Sequence, residues 1–471
     1  MKCALFACTL SVTALLFAGC GAGDQLPEGF TIGGIETASS ALDSKVADAL
    51  VIANVEGVSR PQPDSDEMVA LGEALFFDKI LLGNQNISCA TCHHPTTGTS
   101  DFLPVPIGEG GSGLGANRSV GAGNLIPRNA PHVFNAGVSG VDTMFWDSRL
   151  RRDPVTGILE TPEADLNGAS PILAAHAAQL TSALAAQAMF PVTSHDEMRG
   201  QPGTNPIANA TSNAEVWSLL MARLVGTSNG TVGGIQGYRD LFDAAYPSVT
   251  NYDDFNFGHA ARAIAAFERT RWTALDSPFD RYVGGDMGAM SDAAKRGAII
   301  FCDKGRCAEC HNGPLLSDFQ HHVLATPQVG PGKNAPFEDL GRALETGNPA
   351  DEYAFRTPQL RNIALTAPYM HSGAFLTLEA AVRHHLDPRT SLANYDPTQL
   401  PEPFESTFDT DPGRNAARSA AVSPTLALPI GLTDAEFSDL MAFLHALTDP
   451  SSLNQLDQIP DSVPSGLPVK D

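Results

Sequence analysis

Apolar side chains recur at helical spacing between residues 66 and 77. Met68, Leu71, Ala74 and Leu75 share one face, and Asp64 or Ser65 stands where a cap is needed. The same period returns over 257–269 through Phe257, Ala261, Ile264 and Phe267, and over 291–301, where Ser291 is placed to cap. Near the end, Thr433-x-x-Glu436 reads as a capping box with Leu432 and Phe437 at staple positions. The face Phe437, Leu440, Met441, Leu444, Leu447 follows. Two-residue alternation is scarce, so the pattern predicts a mainly α fold with long loops. Residues 102–128, rich in glycine and proline and without a period, form a long loop of the kind that often carries function.

An internal repeat sets the domain plan. Gly72-x3-Phe76-x-Asp78-Lys79 is matched by Gly297-x3-Phe301-x-Asp303-Lys304. Each copy precedes a Cys-x-x-Cys-His motif, which suggests two homologous units in tandem, 64–280 and 281–450, with a boundary near 275–290. Residues 21–63 read as a tether and 451–471 as a loose tail.

The two motifs are Cys89-Ala90-Thr91-Cys92-His93 and Cys307-Ala308-Glu309-Cys310-His311. The spacing suits covalent c-type haem: two thiols add across the two vinyl groups of one ring, and the adjoining histidine is held under the iron as proximal ligand. A thioredoxin-like pair or a zinc site needs no histidine directly after both cysteine pairs. His94 reads as a solvated neighbour and Cys302 as a small buried apolar residue. Cys3, Cys8 and Cys20 fall in an apparent leader, so the cysteines form no disulfide framework.

Export agrees with haem attachment outside the cytoplasm. Lys2 followed by the apolar run Ala4–Phe17 is too short for a lasting span. Phe17-Ala18-Gly19-Cys20 resembles a bacterial lipoprotein signal, with Cys20 as the lipidated residue. This places the chain in the periplasm or cell envelope, touching a membrane only through that anchor. The 471 residues carry 29 Lys+Arg against 53 Asp+Glu, a formal net charge of -24. Such a chain repels nucleic acid and anionic lipid, and it could attract a basic protein partner.

Beyond haem attachment, the chain contains Arg128-Asn129-Ala130-Pro131, Phe145-Trp146-Asp147, Ser277-Pro278-Phe279-Asp280-Arg281-Tyr282, Leu360-Arg361-Asn362 and Pro368-Tyr369-Met370-His371-Ser372-Gly373. With these it resembles the bacterial di-haem cytochrome c peroxidases, a family that includes the tryptophan-modifying enzyme MauG, over about residues 66–450. The resemblance implies an N-terminal haem that meets hydrogen peroxide and a C-terminal haem that passes electrons. The donor would be a small cytochrome c or a cupredoxin, and a homodimer is the family expectation. Gln187, Pro191 and Glu197 match the family's Gln-x3-Pro-x5-Glu peroxide pocket. Glu197 would shuttle the proton, Gln187 would hold peroxide by hydrogen bonds, and Pro191 would deny the iron a sixth protein ligand. Trp146 matches the tryptophan between the haems, and Asn129, Thr366 and Pro368 match a calcium site.

Three features depart from the peroxidase pattern. Residues 95–128 contain no histidine to cap the first iron, so that haem is expected to be open, as in the tryptophan-modifying relatives. At the position of the second iron's distal ligand, usually Met, stands His385. His384 is the runner-up and Met370 a weaker candidate. Residues 147–186, 199–235 and 386–430 look inserted. The rival readings are a MauG-like oxidation of a protein or organic substrate and a non-catalytic electron carrier.

Overall fold

The computed structural model describes residues 36–168, 170–226, 233–334 and 336–470, with side chains from residue 41 onward. The apparent leader and Cys20 lie outside the described residues. Six helices carry the argument: α1 (Glu36–Ile52), α2 (Asp66–Phe77), α3 (Phe257–Arg271), α4 (Asp292–Cys302), α5 (Leu378–Leu386) and α6 (Asp434–Ala446).

Their ends follow the capping chemistry. Ser65 Oγ accepts from Met68 N at 3.3 Å, so Ser65 caps α2 while Asp64 pairs with Arg269. Ser291 Oγ accepts from Ala294 N at 3.2 Å, and Thr433 and Glu436 close the capping box at the start of α6.

The repeat extends beyond the stretch that displays it. α2 packs on α3, and α4 packs on α6. A Cβ at Gly72 would lie 1.9 Å from the carbonyl oxygen of Ala263 on α3; one at Gly297 would lie 1.9 Å from that of Asp439 on α6. Both glycines exist because a neighbouring backbone passes where a side chain would stand. One turn on, Phe76 meets Phe267 with ring centroids 5.4 Å apart, and Phe301 meets Phe443 at 5.2 Å.

Two hydrophobic cores result. One holds α2, α3 and the chain between them; the other holds Phe279, Phe301, Leu440 and Phe443. Ala274 belongs to the first and Phe279 to the second, while Leu315 returns to the first. Leu103, Val105 and Ile107 of the long glycine-rich loop cross over and are buried in the second core. Strands are few: Thr143–Met144, Leu150–Arg152 and Leu159–Glu160 form a small antiparallel sheet, and His321–His322 pairs with Phe355–Arg356.

The structure differs from the sequence reading at both ends. Residues 36–52 are helical rather than tether: Val46 and Leu50 are buried in the second core, and Asp43 pairs with Lys295 at 2.7 Å. The final segment is not loose. Val463 is buried in the first core, and Ser465 Oγ donates to Asp78 Oδ1 at 2.6 Å. Asp78 also accepts from Tyr238 at 2.7 Å, so this buried carboxylate is the tail's anchor.

Gly297→Ala is expected to destabilise the chain by about 1–3 kcal/mol, because α4 and α6 must separate to admit the methyl group. Thermal unfolding measures it, and an equal Ala substitution at exposed Gly431, where nothing lies near an added Cβ, serves as control.

Candidate functional site

The first motif opens on one helical turn, Cys89–Cys92, closed by a reciprocal bond pair between Ser88 and Thr91. His93 Nδ1 lies 3.2 Å from the Thr99 carbonyl. That bond occupies one ring nitrogen and leaves Nε2 as the ligating atom. Burial lowers the imidazole's pKa, so it stays neutral as a metal ligand must. At the second motif, His311 Nδ1 lies 3.0 Å from the Leu316 carbonyl, and burial draws the ring down to about 4. The four motif cysteines form no disulfide, and burial pushes Cys89 and Cys307 up to about 12. Paired, half-buried free thiols beside an oriented histidine fit a covalent c-type haem at each motif.

Across the second site, His385 on α5 faces His311 with ring centroids 6.3 Å apart. Two metal–nitrogen bonds of about 2 Å, with half an imidazole ring at each end, span that gap. His385 Nδ1 is tied to the Ala381 carbonyl at 2.8 Å, which again leaves Nε2 inward. His384 turns elsewhere: its Nε2 lies 2.8 Å from the Leu324 carbonyl, and the ring is fully buried. Met370 lines the same cavity as His311 and His385, with Trp146 on its wall.

Gln187, Pro191 and Glu197 lie on one turn-rich segment of the first domain. Gln187 ends the short helix Ala183–Gln187, Pro191 opens the turn Pro191–Thr193, and Glu197 sits in the wide turn His195–Arg199. Ser194 Oγ accepts from Glu197 N at 3.4 Å, and Phe190 packs edge-on to Phe145, ring centroids 6.4 Å apart. Burial raises the Glu197 carboxyl above the usual range, Arg149 and Lys333 pull it back, and Asp196 adds to the rise.

Those two cations stand at the edge of an ion cluster that the sequence reading missed, built on the buried Arg128, Asp147 and Asp339. Arg128 forks onto Asp339 at 2.7 and 2.8 Å and reaches Asp147 at 2.6 Å. Asp147 also receives Arg149 at 3.0 Å and Lys333 at 2.8 Å. Burial alone would raise Asp147, but its three cations hold it far below the usual carboxylate range. Arg128 and Asp147 belong to motifs visible in the sequence; Lys333 and Asp339 lie in a loop with no such signal.

Trp146 Nε1 donates to the Asn129 carbonyl at 2.9 Å. Asn129 spends its Nδ2 on the carbonyls of Leu103 and Pro104, at 3.0 and 3.2 Å, which turns Oδ1 the other way. Its backbone N–H donates to the His371 carbonyl at 2.7 Å, bringing residues 366–371 beside it. The main-chain oxygens of Thr366 and Pro368 accept no hydrogen bond among the described residues, a donor set suited to a hard cation.

Fold and site together define a helical protein with two covalent c-type haems. A family model described as di-haem cytochrome c peroxidase matches residues 66–288. Cytochrome c551 peroxidase of Pseudomonas aeruginosa is 32% identical over 323 residues, 69% of this chain and 72% of that protein. The methylamine utilization protein MauG of Methylorubrum extorquens is 29% identical over 414 residues, 86% and 85% of the two chains. Among solved structures, a MauG-like protein associated with microbial copper homeostasis aligns with a TM-score of 0.58 at 26% identity. It covers 87% of this chain and 97% of that one. The chain belongs to the di-haem cytochrome c peroxidase family, and it is an oxidoreductase.

Arg128→Gln is expected to cost about 3–5 kcal/mol, since it leaves Asp339 buried without its cation. Denaturant unfolding checks this, and adding Asp339→Asn should recover part of the loss.

Proposed function

We propose that the protein reduces hydrogen peroxide to two waters, taking two electrons from a small cytochrome c or cupredoxin and two protons from solvent. The observation that carries the reading is the placement of Gln187, Pro191 and a half-buried Glu197 on one turn-rich segment, with burial raising the Glu197 carboxyl and Arg149 and Lys333 opposing the rise. When bound, the haem supplies the iron at which the O–O bond is cleaved and the route by which electrons arrive. Glu197 accepts a proton from one peroxide oxygen and delivers it to the other, which leaves as water. Gln187 offers its amide to hydrogen-bond the peroxide. Pro191, without an N–H or a ligating side chain, keeps the space open. Electrons enter at the His311–His385 site and pass by Trp146, whose indole is fixed by the Asn129 carbonyl.

A MauG-like use of peroxide to oxidise a protein or organic substrate is the second reading. It is supported by the absence of histidine over 95–128 and by a MauG match that extends over 86% of the chain. A purely electron-carrying role leaves Glu197 without a task. The same proposal places calcium on Asn129 Oδ1 and the carbonyls of Thr366 and Pro368, and the protein in the periplasm with Cys20 lipidated, as a homodimer.

Glu197→Gln should slow the reaction with peroxide by ~10²–10⁴-fold with both haems still attached, measured by stopped-flow spectroscopy of the oxidised protein. In the parent, the rate should fall with acid at a pH above the usual carboxylate range, because the raised group is protonated early. That limb should vanish in the variant. Full activity in Glu197→Gln removes the role. His385→Ala should convert the second haem from low to high spin, while His384→Ala leaves it low spin.

A further inference from the structure

Arg306, His322 and Arg356 line the cavity between His311 and His385. Two of them are already neutralised. Arg306 donates to Glu309 at 2.7 and 3.0 Å, and His322 Nε2 lies 2.8 Å from Asp318 Oδ2. Arg356 has no such partner. Its backbone N–H donates to the Trp146 carbonyl at 2.8 Å and its Nε to the Phe145 carbonyl at 3.0 Å. Its guanidinium carbon stands 5.7 Å from the Phe319 ring centroid. Among the described residues no carboxylate pairs with it, and Nη1 and Nη2 make no hydrogen bond. Burial draws the guanidinium down to about 10, with distant Asp147 the one compensating charge.

A desolvated cation with two free donors calls for an anion of matching shape. A planar guanidinium pairs best with a carboxylate, through two parallel N–H···O bonds. A haem carries two carboxylates, its propionates. We infer that the free edge of Arg356 binds a propionate of the second haem, while its other two bonds hold the Phe145–Trp146 segment. The inference rests on a haem lying between His311 and His385. It adds that Arg356, from a strand of the second domain, fastens that haem's edge to the residue before Asp147 in the first. The positive charge stabilises the reduced state of the second haem, which gains one negative charge on accepting an electron.

The test compares Arg356→Gln and Arg356→Lys in the holoprotein. Haem content and the low-spin spectrum report whether the second haem is in place, independently of Arg356. With both haems attached, Arg356→Gln should lower the midpoint potential of the second haem in spectroelectrochemical titration. It should also move that haem's propionate bending band in resonance Raman to lower frequency. Arg356→Lys should keep the potential near the parent value, since the charge stays, while the band still moves. Should Arg356→Gln fail to assemble, the Raman band of Arg356→Lys decides alone: a moved band supports the contact, and a parent band overturns it. An assembled Arg356→Gln with parent band and potential overturns it, as does a change confined to the His93 haem.

Discussion

Asp147 is the point on which the two halves of the molecule close. Its carboxylate is fully buried and receives Arg128 and Arg149 from its own side and Lys333 from the other. Arg128 in turn forks onto Asp339. Arg149 and Lys333 reach the Asp147 carboxylate from the solvent side, and Lys333 also stands 3.7 Å from Glu345. The same two cations act on Glu197, where they oppose the rise that burial gives its carboxyl. The cluster thus joins the halves and tempers the acidity of a second carboxyl. Trp146 immediately precedes Asp147, so the indole on the wall of the second site is held by the same constraint.

Much of this is legible in the chain because it is local. The helices over 66–77 and 291–301 and the capping box at Thr433 need only neighbours in sequence, and the structure has them at those places. The haem motifs are five residues long, so their chemistry is readable at sight. The repeat holds further than the sequence could reveal, because Ala263 and Asp439 occupy matching positions without being alike. What stayed hidden depends on distant surfaces. The end segment carries Val463 and Ser465, which mean nothing until Asp78 and the first core are opposite them. Val46 and Leu50 are too sparse on α1 to announce a buried face. The buried ion cluster brings residues 128–149 onto residues 333–339, and no periodic pattern joins them.

The repeat also shows how far its two copies have parted. Asp78 is buried and seats both Tyr238 and Ser465, whereas Asp303 is exposed and its neighbour Lys304 pairs with Glu436 of the capping box. The helix pair and its glycine contact are retained because they hold the motif in place; the residues around them have taken different work. A common scaffold with different linings is what two sites of unlike chemistry require.

On the proposed reading, the linings differ most on the side facing each proximal histidine. At the second site a helix delivers His385 at 6.3 Å from His311, ring centroid to ring centroid, with its Nδ1 locked to the Ala381 carbonyl. As the iron's ligand, a histidine on such a hydrogen-bonded helix would keep its place when an electron arrives, so little reorganisation would oppose transfer. On the same reading, the matching approach at the first site is made by the turns that begin with Pro191 and carry Glu197. Helical order there would place side chains at fixed intervals, and one of them would fill the space. The break at Pro191 and the wide turn over His195–Arg199 avoid that. On the proposed function, irregular backbone at one site and a regular helix at the other answer opposite needs: one site would stay open to a small reactant, and the other would stay closed around an electron.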